Sequence, residues 1–444
     1  MPFRVPHPFV LLFAGIVVAA ALTHVVPAGE YARHADAVTG RQLVDPATYH
    51  AVAGDPASLL DVLRAVPRGI GQASDVLAVV FLVGAAFVVV DRTGALAAVL
   101  AALTRRLGRR TRLVIPLACL VFAAGGALQN MQEEFVALVP PLVLLAARAG
   151  GDPLTAVAMS LGSAAVGAAF SPVNPFQVGI AQQAAGLTAF SQPEPRLLLL
   201  AVALVIWIAG VVRHAGRHPA AVEAAPAAAD APWTPRAGFV LLIVLAGFVV
   251  FFAGLASAGW GFDELSAVFL GVAILAGLAG GLGAAGTASA MADGFREMAF
   301  SALLIGVARG IFVVLDDAHI IDTLVRGLAA PLAGAPAPVA LTGMIGVQAL
   351  LHVPVPSVSG QAVLTLPILA PLSDLLQVSR QAAVLAFQTG AGLTELITPT
   401  NGALMAVLVA ARVSYERWIR FVLPVWVLLL LAGAAATIAI GAAG

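Results

Sequence analysis

The chain has 444 residues, 61% of them hydrophobic and only 10% charged, and its mean hydropathy is +1.00. Soluble domains carry about a quarter charged residues, so this composition excludes one and describes a polytopic helical membrane protein. The formal net charge is zero and all 23 basic residues are arginine. No nucleic-acid partner is therefore expected, and the lone Cys119 excludes both an internal disulfide and a cysteine-based metal site.

Arg4 precedes an apolar run to Leu22, read as an uncleaved first span, 8–27, rather than a signal peptide. Residues 28–70 form a long loop. Further spans are expected at 71–91, 196–213, 237–256, 264–284, 298–315 and 419–441, because runs of this length cross a hydrocarbon core of about 30 Å.

Two pairs of unusual segments lie between these spans. Residues 113–148 are two apolar arms around the polar QNMQEE, and the second arm, 135–147, makes a helix of only about 20 Å, too short to cross. Residues 154–190 are uncharged but interrupted by SPVNPF at 171–176. Residues 337–373 repeat the first pattern around VPVPSVSGQ, and residues 381–411 repeat the second around ITPTNG. The stretches 95–110 and 319–332 are amphipathic and read as interfacial helices.

The segments read as two copies of one unit. FVVVD at 87–91 and FVVLD at 312–316 are offset by 225, Pro140 and Pro367 by 227, and Pro175 and Pro399 by 224. The positive-inside rule then sets the topology. With the N-terminus inside, 113–148 and 337–373 as re-entrant hairpins and each broken segment as one crossing, fifteen arginines fall in the cytoplasm. Among them are Arg92, Arg105, Arg106, Arg109, Arg110, Arg112, Arg213, Arg217, Arg236, Arg412, Arg417 and Arg420. Seven fall outside, four of them in the 28–70 loop. The copies then run in opposite directions. The expected fold is all-α, with two inverted repeats, each holding a re-entrant hairpin and a broken transmembrane helix. The first repeat is 1–213, a cytoplasmic linker is 214–236, a connecting span is 237–256, and the second repeat is 257–444.

Inverted repeats with discontinuous helices suit a secondary transporter, because irregular backbone at membrane depth survives only where it lines a buried or watery site. Half-helix N-termini attract carboxylates and freed carbonyls attract cations. The substrate-binding candidates are Asn174 and Pro175 in the first broken helix, Ser357, Ser359, Gly360 and Gln361 in the second hairpin, and Thr398, Thr400 and Asn401 in the second broken helix. An ionised carboxylate at bilayer depth costs about 2.5–3.5 kcal/mol, so Glu133 and Glu134 at the first hairpin tip are candidates for a cation. That cation is a proton, a sodium ion or a cationic group of the substrate. Asn130 and Glu395 are placed in the same role, with sodium, if it is the coupling ion, near Asn130, Asn174 and Asn401. Arg309, alone inside a span, reads as paired with a carboxylate, and His352 as a packing histidine with its hydrogen bonds satisfied.

HVVPAGEY, QNMQEEFVALVP, NPFQVGIAQ, PSVSGQAVLTLPILAPLSDLLQVSRQ and TPTNGALMAVL resemble the YfcC group of the C4-dicarboxylate anaerobic carrier family, within the broader ion transporter superfamily. The match covers essentially the whole chain. The resemblance implies a multi-pass protein of the bacterial inner membrane, with re-entrant hairpins, a homodimer and an elevator motion driven by sodium or protons. Group members are described as carriers of C4-dicarboxylates or as basic amino-acid antiporters. Relatives often have Asp-Gly and Asn where this chain has Ala391-Gly392 and Glu395.

The reading is a secondary transporter of a small carboxylate-bearing solute, embedded in lipid and using no cofactor beyond a coupling sodium or proton. Two glutamates would repel a dianion, which favours an amino acid over a C4-dicarboxylate. The alternatives are an ion channel and an intramembrane enzyme acting on a lipid-borne substrate. The N-terminus is expected in the cytoplasm and the C-terminus outside.

Overall fold

The computed structural model describes residues 8–35, 42–45, 47–98, 102, 113–132, 135–219, 233–258 and 260–442. α1 (Pro8–Thr23) is followed by two short antiparallel strand pairs. β1 (Gly29–Glu30) pairs with β4 (His50–Ala51), and β2 (Arg33–Ala35) pairs with β3 (Gln42–Val44). The expected 28–70 loop is not irregular throughout: α2 (Leu59–Gln72) is a helix. Ser58 and Asp61 close a capping box at its start, each side chain bonding the other's backbone N–H.

α3 (Ser74–Arg92), α4 (Val114–Gln129) and α5 (Phe135–Arg148) follow. α6 (Pro153–Ala169) contains a π turn at Ala158–Gly162. After a non-helical stretch at 170–174, a second π turn (Pro175–Gly179) leads into α7 (Ile180–Ala184). α8 (Pro193–Arg217), α9 (Pro235–Ala258), α10 (Phe262–Ala279), α11 (Gly283–Asp317) and α12 (Ile321–Ala329) come next. α13 (Ala337–His352) and α14 (Val358–Leu375) are joined by residues 353–357. α15 (Arg380–Phe387) runs through a π turn at Gln388–Gly392 to a non-helical stretch, and α16 (Gly402–Ala410) resumes. α17 (Tyr415–Ala442) ends the chain's helices.

Among the described residues, six helices, α3, α8, α10, α11, α14 and α17, are long and apolar enough to cross a membrane. The expected spans match α1, α3, α8, α9, α10, α11 and α17 in position. α14 belongs to an expected re-entrant arm, although its length would also permit a crossing. The outer faces of α8, α9, α10 and α17 carry exposed Leu198, Val205, Leu245, Leu275 and Leu431, an apolar surface suited to lipid. α11 is the central scaffold and packs on α1, α2, α3 and α16. Of the two expected interfacial helices, most of 95–110 lies outside the described residues. The other is α12, whose Asp322 is buried, accepting from Tyr31 N at 2.9 Å and pairing with Arg33 at 2.9 Å.

The two broken helices are almost wholly buried. Freed carbonyls in such a place must find donors, and aromatic side chains supply them. Trp207 Nε1 of α8 donates to Ala158 O at 3.1 Å. From α17, Trp418 Nε1 donates to Leu396 O at 2.7 Å, Trp426 Nε1 to Leu393 O at 2.9 Å, and Tyr415 Oη to Ile397 O.

Asp152 knots three helices together at the start of α6. It caps the helix by accepting from Thr155 N and Oγ1, each at 2.8 Å, and meets His214 of α8 at 3.3 Å and Arg417 of α17. Burial alone would raise its carboxyl, but the bonds from His214 and Thr155 outweigh burial and hold it at about 2. A folded-state pKa below the unfolded value means the stabilisation is present at neutral pH and lost as pH falls through about 4 toward about 2. Asp152→Ala removes both the cap and the ion pairs and is expected to cost about 3 kcal/mol. Asp152→Asn keeps the cap and should cost less, and thermal melts across this pH range should show the wild type converging on the variants in acid.

Candidate functional site

A cavity of about 500 Å³ opens between the interrupted segments. Its wall takes Asn130 and Gln132 from the end of α4, and Ser357 and Ser359 from the start of α14. Glu395, Thr400 and Asn401 come from the second helix break, Gln72 and Asp75 from the α2–α3 junction, and Arg309 from α11. Phe176, Phe251, Trp260 and Phe262 add aromatic surface.

The sequence-predicted residues divide into two groups. Asn130, Ser357, Ser359, Glu395, Thr400 and Asn401 line the cavity, whereas Asn174, Pro175, Gly360, Gln361 and Thr398 do not. Glu133 and Glu134 lie outside the described residues.

The residues off the wall are occupied in holding the breaks. Asn174 caps the helical turn after the first break, its Oδ1 accepting from Phe176 N at 2.9 Å and Gln177 N at 2.8 Å. Its Nδ2 donates to Gly126 O at 2.8 Å, and Ser171 Oγ donates to Ala127 O at 2.7 Å, so the first break is tied to the end of α4. The second break has a parallel arrangement. Asn401 Oδ1 accepts from Leu404 N at 3.1 Å, and Thr400 Oγ1 donates to Val353 O at 2.6 Å, just beyond α13. Thr398 holds Thr400 through a 2.7 Å hydroxyl contact.

Gln361 belongs to a buried ladder inside the α13–α14 pair. Its Nε2 donates to Gln348 O at 2.7 Å and Gln348 Oε1 at 2.6 Å, and Gln348 Nε2 donates to Thr365 Oγ1 at 2.8 Å. The oxygens of Asn130, Asn174 and Asn401, considered for sodium, each accept an N–H already; for Asn130 the donor is Gln177 Nε2 at 3.0 Å.

Two expectations change. Arg309 has no carboxylate within ion-pair distance among the described residues; its Nε donates to Gln72 Oε1 at 3.3 Å and its guanidinium lies 4.6 Å from the Phe312 ring centre. A cation held by a neutral amide and an aromatic face at a cavity wall remains available to an anionic ligand. His352 is wholly buried, yet its Nε2 has no hydrogen-bond partner among the described residues, so it is not a fully satisfied packing histidine.

Arg196 carries no sequence signal of a special role, since it opens an ordinary apolar span. It is nonetheless 0% exposed and held by neutral partners, with Nε to Gln388 Oε1 at 2.8 Å and Nη2 to Gln381 Oε1 at 2.9 Å. Gln388 Nε2 in turn donates to Ser171 O at 3.0 Å, at the first break.

The family model of the C4-dicarboxylate anaerobic carrier matches residues 5–441. A protein of Escherichia coli K12 named "Putative basic amino acid antiporter YfcC" is 30% identical, over 94% of this chain and 92% of its own. A protein of unassigned function from Haemophilus influenzae is 26% identical, over 97% of this chain and 96% of its own. Among solved structures, the Alcanivorax borkumensis YdaH transporter aligns with a TM-score of 0.45 at 20% identity, covering 98% of each chain. Neisseria gonorrhoeae MtrF aligns at 0.43 and 19%, covering 98% of this chain and 95% of its own. The family match runs through nearly every element described above, and the chain belongs to the C4-dicarboxylate anaerobic carrier family.

Proposed function

We propose that this protein is a secondary active transporter for a small solute bearing both a carboxylate and a cationic group, an amino acid rather than a C4-dicarboxylate. Membership of a carrier family makes the chain a transporter and not an enzyme, which sets aside the intramembrane-enzyme reading. The observation that carries the substrate class is the wall charge of the cavity: Arg309 faces it together with Asp75 and Glu395. A dianion would meet more negative than positive charge there. An amino acid places its carboxylate on Arg309 and the hydroxyls and N–H groups at the start of α14, and its cationic group on Glu395 or Asp75. The name of the Escherichia coli relative points the same way.

Alternating access rests, in this reading, on two inverted repeats, 1–213 and 257–444, joined by the linker 214–236 and span 237–256. Supporting it are the Asn174 and Asn401 caps and the ties from Ser171 and Thr400 to the ends of α4 and α13. A homodimer moving as an elevator, with the N-terminus cytoplasmic and the C-terminus outside, completes the proposal.

Counterflow into proteoliposomes of labelled arginine, glutamate and succinate tests it. Arginine or another amino acid is expected to exchange, and Arg309→Gln to raise its KM about tenfold or more through the lost charge-assisted bond. Exchange of succinate alone would overturn the amino-acid assignment, and a sustained non-saturating flux would favour a channel.

A further inference from the structure

We propose that His352 and Glu395 together form a proton-binding site, and that a proton there competes with the cationic group of the substrate for Glu395. The inference deepens the transport reading and rests on it for its second half, while the proton site itself stands on geometry alone.

The protonation pattern of His352 follows from its neighbours. Gln361 Nε2 lies 2.7 Å from the backbone oxygen of Gln348. A carbonyl only accepts, so that end of the amide is the donor and its orientation is settled. Gln361 Oε1 therefore faces His352 Nδ1, at 2.9 Å, and accepts from it. Neutral His352 must carry its hydrogen on Nδ1, leaving Nε2 as a lone pair. That lone pair is buried, without a hydrogen-bond partner among the described residues, and 3.7 Å from Glu395 Oε1.

A lone pair facing a carboxylate oxygen is repulsive, and 3.7 Å is too long for a hydrogen bond. A single proton changes the sign of the contact. Placed on either Nε2 or Oε1, it makes one charge-assisted or neutral hydrogen bond, whose preferred length is about 2.7–2.9 Å. The pair must then close by roughly 1 Å. Nothing is oxidised or reduced; one proton enters and one hydrogen bond forms.

Closure would be felt by three segments. Glu395 Oε2 accepts from Gln132 Nε2, beyond the end of α4, and Glu395 O accepts from Asn401 Nδ2 at 3.2 Å, at the start of α16. His352 ends α13. Protonation thus acts on the ends of both helix pairs and on the second break together. Glu395 is 7% exposed and on the cavity wall, while His352 is 0% exposed behind it. An ammonium or guanidinium arriving from the cavity therefore meets Glu395 and displaces the proton from it. Linkage requires the converse, that acid weakens substrate binding.

The other charged groups on the cavity wall, among the described residues, are Asp75 of α3 and Arg309 of α11. From α17, Tyr415 is committed to Ile397 O. α4, α13, α14 and α16 bring no further Asp, Glu or Arg to the cavity wall. Glu133 and Glu134, next to Gln132, lie outside the described residues.

The proton site is tested without transport by infrared difference spectra of the purified protein between acid and alkaline buffer. A carboxylic-acid carbonyl band is expected that Glu395→Gln abolishes and whose titration midpoint His352→Gln displaces by about one pH unit or more. A band unchanged in both variants overturns the site. His352→Asn serves if His352→Gln does not fold.

The coupling is tested in proteoliposomes. A pH gradient should drive accumulation in the wild type, and His352→Gln should retain counterflow but lose at least about tenfold of the pH-driven accumulation. Accumulation driven by sodium alone, or undiminished in His352→Gln, overturns the coupling. Absence of counterflow for every amino acid and dicarboxylate in the wild type would instead overturn the transport reading, leaving the infrared result to decide the proton site.

Discussion

Arg196→Met is expected to lower stability by about 2–4 kcal/mol, even though it removes a buried charge that has no acid partner among the described residues. The sign depends on what the guanidinium leaves behind. Its nitrogens are spent on neutral oxygens of Gln388, Gln381 and Gln192, the last at 3.2 Å. Methionine matches the bulk of the stem and supplies no donor. Gln388 Oε1, at a site closed to water, then loses its donor at about 1–3 kcal/mol, while Gln381 Oε1 falls from two donors to one, keeping Gln182 Nε2 at 3.1 Å. Gln388 also holds the first break by donating to Ser171 O and Ala169 O, at 3.0 and 3.3 Å. Its release should loosen both broken helices together.

Arg196→Lys keeps the charge but not the fork and should fall between wild type and Arg196→Met. Because Arg196 works through Gln388, the double variant Arg196→Met with Gln388→Leu should cost less than the two singles added, by about 1 kcal/mol or more. Thermal unfolding in detergent, read by tryptophan fluorescence, measures all four. Strict additivity would show that the arginine and the first break are independent.

Most of the fold's outline is legible in the sequence, because lipid imposes one rule on every span. A long run of apolar residues is a helix, and its length decides whether it can cross. The breaks are legible for the same reason: Asn-Pro at 174–175 and Thr-Pro-Thr-Asn at 398–401 are poor helix interiors wherever they stand. α2 has its own signal, the Ser58–Asp61 capping box ahead of an amphipathic run, which the reading of 28–70 as a loop passes over.

The site is less legible, because a polar residue beside a break has two uses that look alike in one dimension. Asn174 and Asn401 both cap a resumed helix, yet only Asn401 also reaches the cavity. Gln361 sits in a polar turn exactly as a ligand would, but its amide is consumed by Gln348 and His352. What separates the uses is the position of a helix distant in sequence. The donors to the carbonyls of the second break, Tyr415, Trp418 and Trp426, lie 18, 22 and 33 residues away with no local pattern announcing them. Arg309 follows the same logic in reverse. A solitary arginine in a span implies compensation, and here an amide, an aromatic ring and the cavity provide it in place of a carboxylate.

Gly126→Ala should be among the most damaging single-methyl additions in the chain, and Gly125→Ala, one residue away, nearly harmless. Both glycines lie in α4, in the run FAAGGAL, and in a helix interior either change gains about 1 kcal/mol of intrinsic propensity. Packing reverses the sign at one of them. A Cβ on Gly125 would meet Met131 Sδ at 3.5 Å, an ordinary contact with a flexible side chain. A Cβ on Gly126 would sit 2.0 Å from Ala164 O and 2.6 Å from its carbon, on the backbone of α6. No rotamer relieves that overlap, so the two helices must part.

The contact is reciprocal, since a Cβ on Gly167 would lie 2.1 Å from Ala123 O. Overpacking of a well-fitted interface costs about 1–3 kcal/mol and more where backbone must move, so a net loss of at least about 3 kcal/mol is expected for Gly126→Ala. Function should suffer beyond stability. Gly126 O and Ala127 O accept from Asn174 and Ser171, and separating α4 from α6 pulls both bonds away from the first break. The protein that does fold should show counterflow reduced at least about tenfold, with Gly125→Ala at the wild-type level. Equal melting temperatures for the two variants would mean that α4 and α6 do not meet at Gly126, and the hydrogen bonds assigned to Asn174 and Ser171 would fall with that contact.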